Sequence, residues 1–206
     1  QQGIRLGAID YYDVTDSTYD NVTSAEFGDM LQLTSAASEE RLNLFFVNQA
    51  IGGGVVGVSA TLGGPKKNGT SLSGVMSVYS GFSTNTVGLI AAHEIGHFLG
   101  LYHTVEQSGS HDFIDDTAEC LSSGTNGACS VTGGGYLMHW QAVGGADITD
   151  GQGLVIRGHP LVDPNPAGGT SSKRSLAFVP VSEDDMLDAW RLPSGWCGTC
   201  NASHGR

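Results

Sequence analysis

The chain has 206 residues and a formal net charge of −12, with nine Lys plus Arg against 21 Asp plus Glu. Nucleic acid and anionic membrane both require basic patches, so neither is an expected partner, and no apolar run reaches the ~18 residues that a membrane span needs. The length suits one sizeable domain, whole or divided into two subdomains, and 31 Gly predict many turns and irregular connections.

The chain opens Gln1-Gln2-Gly3-Ile4 with no charged-then-apolar leader, so a mature, processed form is expected. Residues 4–14 read as a strand. Residues 24–34 predict a helix with Ser24 as N-cap and Phe27, Met30 and Leu31 on one face. Residues 42–47 predict a buried strand, broken by the glycines at 52–54, and residues 55–60 predict another. Residues 64–69 form a turn-rich loop. A strand is expected at 74–79, then a helix from about 86 to 99. Beyond 103 the texture changes, with Gly, Ser and Asp frequent and little periodicity up to 147. Residues 149–157 predict a short helix, because Thr149 and Gln152 have capping-box spacing. Residues 182–191 predict one more.

Four cysteines, Cys120, Cys129, Cys197 and Cys200, fit two disulfides and an oxidising, extracellular compartment. Closeness in sequence favours Cys120–Cys129 and Cys197–Cys200. The rival is a four-Cys zinc site, for which only Cys197-Gly-Thr-Cys200 has ligand spacing.

The stretch Ala91-Ala-His93-Glu94-Ile-Gly-His97-Phe-Leu-Gly100-Leu-Tyr-His103 carries the chemistry. His93 and His97 are four residues apart, so on a helix they share one face and reach one metal ion. Val87, Ala91, Ile95 and Phe98 fall on the other face and can be buried. His103 on a continued helix would lie about 15 Å along the axis from His93, too far to share a metal with bonds of about 2.0–2.1 Å. The chain must therefore turn sharply, and Gly100 allows a left-handed turn without steric cost. Three neutral His on zinc leave an open position for water, whose pKa the metal lowers toward 7. Glu94, beside the two helical His, is the general base of a metal-assisted hydrolysis. A chance match to these five positions is on the order of one in 10⁴ to 10⁵, which sets aside a purely structural role for the histidines.

The segment from His93 to His103 is identified as the extended zinc motif of the metzincins, matched at every defining position. The resemblance implies a methionine turn downstream, and Tyr136-Leu-Met138-His-Trp140 is the candidate, with Met138 35 residues after His103. Leu101-Tyr-His-Thr104, Asp115-Asp-Thr-Ala-Glu-Cys120 and Thr149-Asp-Gly-Gln152 resemble the pappalysin branch, so the likeness covers roughly 70–157. Many metzincins place a Tyr two residues after the Met, where its hydroxyl serves the oxyanion. Here that residue is Trp140, whose indole N–H either donates in its place or packs in the wall. His139 is read as a turn residue, and Asp116 is followed by Thr-Ala where the branch has Thr-Pro.

The resemblance further implies an α/β (α+β) catalytic domain spanning 1–206. An upper subdomain, 1–103, would hold a twisted mixed sheet and two long helices, above an irregular C-terminal subdomain, 104–206, with substrate in the cleft between them. The strand at 75–79 would be the edge that pairs with extended substrate. Structural calcium is implied near Asp112, Asp115, Asp116 and Glu119, against the plainer reading of a solvated acidic loop. His111, His159 and His204 are read as surface residues. The expected activity is that of a secreted, monomeric zinc endopeptidase acting on protein or peptide substrates. Narrow-specificity peptidases and zinc-bearing binding modules are the alternatives, and an intact Glu94 speaks against the latter.

Overall fold

The computed structural model describes residues 4, 6–37, 39–50, 54–106, 111–119, 134–140 and 145–163. The four cysteines, His204 and the helix expected at 182–191 lie outside the described residues. The elements run β1 (Asn21–Val22), α1 (Ser24–Gln32), β2 (Leu44–Val47), β3 (Gln49–Ala50), β4 (Gly57–Ser59), β5 (Val75–Val78), α2 (Thr84–Phe98) and α3 (Asp150–Gly158). The main sheet has the order β2-β5-β4, parallel between β2 and β5 and antiparallel between β4 and β5, so it is mixed as expected. The short strands β1 and β3 pair in parallel beside it.

Helix α1 starts one residue earlier in role than its sequence pattern implied. Thr23, in extended conformation, is the N-cap. The reason is Glu26, three residues on: its carboxylate accepts from the Thr23 main-chain N–H at 2.9 Å, closing a capping box. Ser24 has Phe27 at that spacing and cannot form one. Phe27, Met30 and Leu31 are buried on one face, as the pattern predicted.

Residues 6–16 form no strand, contrary to expectation. A strand needs a partner for its main-chain polar groups, and here the Arg41 guanidinium donates to the Ala8 carbonyl at 2.8 Å in place of a ladder. Leu6 is 80% exposed, so the apolar run buries little. Strand β2 is half-buried rather than buried, because it is the outer strand of its side. Strand β5 is central, with all four residues buried, which corrects its reading as the edge. Strand β4 occupies the other outer position.

Helix α2 packs against β4 and β5. Ser83 caps it, and the helix starts at Thr84, two residues before the start that the pattern gave. Val87, Ile90, Val58, Met76 and Val78 join Met30 and Leu31 in one apolar core between the helices and the sheet. A smaller cluster of Leu101, Leu137, Met138 and Ile156 lies below α2 and receives α3. Thr149 caps α3 with the expected box, its hydroxyl accepting from Gln152 N at 3.1 Å. Thr149→Ala removes that acceptor and is expected to lower stability by about 1 kcal/mol, read from the urea midpoint, while Thr149→Ser keeps it. Equal losses in the two variants would deny the cap its role.

Among the described residues, no helix is long and apolar enough to cross a membrane.

Candidate metal centre and active site

Helix α2 carries His93 and His97 one turn apart and ends in a tight reversal. Gly100 has φ +102°. Leu101 N donates to Gly96 O at 2.9 Å and Gly100 N to His97 O at 2.9 Å. This paired pattern is a Schellman motif, which satisfies the last carbonyls and turns the chain. The left-handed φ at Gly100 would strain any residue with a Cβ. The turn brings His103 back under the helix, as the motif spacing required.

The three rings meet at their Nε2 atoms. These lie 3.1 Å apart for His97–His93, 3.1 Å for His97–His103 and 3.2 Å for His93–His103. Tetrahedral zinc with bonds of 2.0–2.1 Å spaces its nitrogens by about 3.3 Å, close to this triangle. Every Nδ1 faces an oxygen: His93 the Leu137 carbonyl at 2.7 Å, His97 the Leu101 carbonyl at 2.7 Å, and His103 the Glu106 carboxylate at 2.6 Å. A carbonyl oxygen only accepts, so His93 and His97 carry the proton on Nδ1 and turn the Nε2 lone pair inward. Three lone pairs converging on one buried point repel one another unless a cation sits there. The donor set and its geometry fit one zinc ion. Among the described residues, no other group of three or more His, Cys, Asp or Glu has this geometry.

Burial keeps His93 in the neutral form. The pKa of His93 is lowered from 6.5 to about 3, first by desolvation and then by His103 beside it, against the opposing bond to Leu137. A group whose folded pKa lies below its unfolded one binds more protons when unfolded. The stability that His93 contributes to the metal-free protein is therefore full above pH 6.5 and is lost as pH falls toward 3. Between pH 7 and pH 5 this one residue is expected to cost about 2 kcal/mol, visible as a lower urea midpoint of the chelator-treated protein. A midpoint that rises on acidification would contradict it.

Glu94 is buried on the same helix. Its carboxylate lies against β4 at Gly57: a Cβ built there would stand 2.7 Å from both Cγ and Oε1 of Glu94. The Glu94 carboxylate is thus held between α2 and the outer strand. Sequence patterns gave Gly57 no role, since its proximity to Glu94 is set by the sheet.

The residues expected to form a methionine turn do make a tight turn. Tyr136 to His139 closes with a bond from His139 N to Tyr136 O at 3.2 Å. Met138 is fully buried, its sulfur directly against Gly96, where a Cβ would collide with it. The turn also supplies the Leu137 carbonyl to His93 and the Met138 carbonyl to Thr104 N, at 2.7 and 2.8 Å. His139 is buried and its pKa is lowered, by desolvation first and His103 second. The Trp140 ring lies tilted at 41° to His139, centroids 5.8 Å apart, and its buried indole N–H has no hydrogen-bond partner among the described residues.

The acidic loop does not gather into a ligand cluster. Asp112 is buried, and its Oδ1 accepts from Ile114 N and the Thr117 hydroxyl, at 3.2 and 2.5 Å. Desolvation raises its pKa in spite of those bonds. Asp116 accepts from Gly151 N at 2.8 Å, at the start of α3, and this bond holds its pKa down. Asp115 and Glu119 are exposed. Gly100, Met138 and the three His come together, and the four acids do not. His111 is exposed as read, but His159 is buried, a correction to its surface reading. Its Nε2 donates to the Gly64 carbonyl at 2.9 Å while Nδ1 accepts from Leu161 N at 3.2 Å, tying the end of α3 to the segment between β4 and β5. That contact spans 95 residues, and no local pattern announces it.

A family model described as Metallo-peptidase family M12, of reprolysin type, matches residues 3–150. Over 83 residues the chain is 35% identical to a protein of Pyricularia oryzae named extracellular metalloprotease. That match covers 37% of this chain and 29% of the relative, so the aligned part spans less than a third of the relative's length. Matched over most of its length by that family model, and with its three histidines drawn to one point, the chain belongs to metallo-peptidase family M12 and is of the metzincin type.

Proposed function

We propose that this chain is a secreted zinc endopeptidase that hydrolyses peptide bonds, with His93, His97 and His103 as metal ligands and Glu94 as general base. One observation carries the reading: three buried Nε2 atoms about 3.1–3.2 Å apart, with an oxygen facing every Nδ1. Zinc bound by these residues would supply Lewis acidity at the site. Glu94 would serve as the general base that accepts the proton of the attacking water and returns it to the departing amine. Gly57 confines the Glu94 carboxylate on the β4 side. A substrate paired to the sheet lies along β4, the outer strand beside Glu94. Trp140 stands in the place where many metzincins use Tyr, and its indole N–H, buried in the absence of substrate, either donates to the oxyanion or packs in the wall.

Secretion is supported by the even cysteine count and by the name of the Pyricularia oryzae relative. The pappalysin placement rests on the resemblance of residues 101–104, 115–120 and 149–152 to that branch, and these segments contact one another. Gln152 Nε2 donates to Thr104 Oγ1 at 3.3 Å, and Asp116 accepts from Gly151 N. Two subdomains, 1–103 and 104–206, with the cleft between them, complete the reading.

The test is a mixed peptide library digested before chelation, after chelation and after zinc add-back, with metal content determined on the same samples. Cleavage lost with chelator and restored by zinc is expected. One bound zinc with no cleavage of any peptide would replace the endopeptidase reading with a selective peptidase or a binding module.

A further inference from the structure

We propose that Glu106 is a positioning residue for His103, and that its carboxylate sets how tightly the third ligand holds zinc. The inference rests on the zinc reading above. His93 and His97 stand on a rigid helix, and their Nδ1 partners are neutral main-chain carbonyls. His103 has neither advantage. It lies beyond the Gly100 turn, outside any helix or strand. Its Nδ1 partner is a side chain, Glu106 Oε1 at 2.6 Å, and the His103 and Glu106 side chains are 2% and 17% exposed.

The main chain fixes both ends of this contact. Thr104 N donates to Met138 O at 2.8 Å, and Val105 bridges His111, so Glu106 follows a pinned segment. A hydrogen bond to a carboxylate in a largely buried setting is shorter and roughly twice as strong as one to a neutral acceptor. The bond turns the imidazole so that Nε2 faces the other two, and it feeds electron density to the ligand. Glu106 is a side-chain partner that a substitution can remove, whereas Leu101 and Leu137 contribute main-chain carbonyls.

The experiment measures zinc affinity of the full chain by competition with a chromophoric chelator, for the parent, Glu106→Gln and Glu106→Ala. Far-UV circular dichroism of each metal-free protein checks the fold. Loss of the partner in Glu106→Ala is expected to raise the zinc Kd about 10- to 100-fold. Glu106→Gln keeps an acceptor oxygen without the charge, and is expected to weaken zinc binding by a smaller factor. The cobalt-substituted parent and Gln variant should share a visible spectrum from which the Ala variant departs. A Kd for Glu106→Ala within twofold of the parent would overturn the proposal. Should the Ala variant fail to fold, an unchanged Kd in Glu106→Gln would overturn the role of the charge. A parent that binds no zinc would remove the zinc reading itself, and this inference with it.

Discussion

Glu94→Gln is expected to retain a full equivalent of zinc and to lose peptidase turnover by roughly 10²- to 10⁴-fold, the range of a general base. The Nδ1 atoms of His93, His97 and His103 are held by Leu137, Leu101 and Glu106, not by Glu94. Gln is nearly isosteric, so the close approach to Gly57 is preserved and the loss can be assigned to proton transfer. Zinc content and kcat are to be measured on one preparation. A variant with full zinc and more than a tenth of parental kcat would remove Glu94 from the mechanism.

Gly57→Ala is expected to have the second largest effect, without touching a metal ligand. The added Cβ would meet Glu94 Cγ, Glu94 Oε1 and Ile90 Cγ2 at 2.7 Å, closer than real contacts allow. Ile90 is fully buried in the core, so the carboxylate and β4 must yield. Overpacking of this kind costs about 1–3 kcal/mol of stability, and displacing a catalytic group by about 1 Å costs up to 10²-fold in rate. The expected result is a kcat/KM lowered about 10- to 100-fold with zinc stoichiometry intact and a lower thermal midpoint. Parental kcat/KM in Gly57→Ala would mean that β4 does not hold the base.

The zinc helix, its turn and the third ligand were legible in the sequence because their geometry is local. His93 and His97 follow from the helical period. Gly100 follows from the need to reverse the chain before His103, and its left-handed φ meets that need. The Thr149 capping box was legible for the same reason, with both partners inside four residues. Thr23 was missed in favour of Ser24, although Glu26 at capping-box spacing pointed to it. What could not be read depends on tertiary neighbours. Strand order makes β5 central and β4 outer, and no pattern within β5 distinguishes those positions. The stretch 4–14 has the composition of a strand but no ladder partner among the described residues. His159 looks like a surface residue until Gly64, far off in sequence, accepts its proton. Glu106 stood three residues from a ligand, yet its partner was fixed only when the Met138 turn pinned Thr104.

X-ray absorption at the zinc edge, on the purified chain loaded with one equivalent, distinguishes zinc on three imidazoles from any other ligand set. The first shell is predicted to be nitrogen and oxygen at about 2.0–2.1 Å, with the outer-shell scattering of imidazole rings. A sulfur shell at about 2.3 Å would place the metal on cysteines and rule out the three-histidine site.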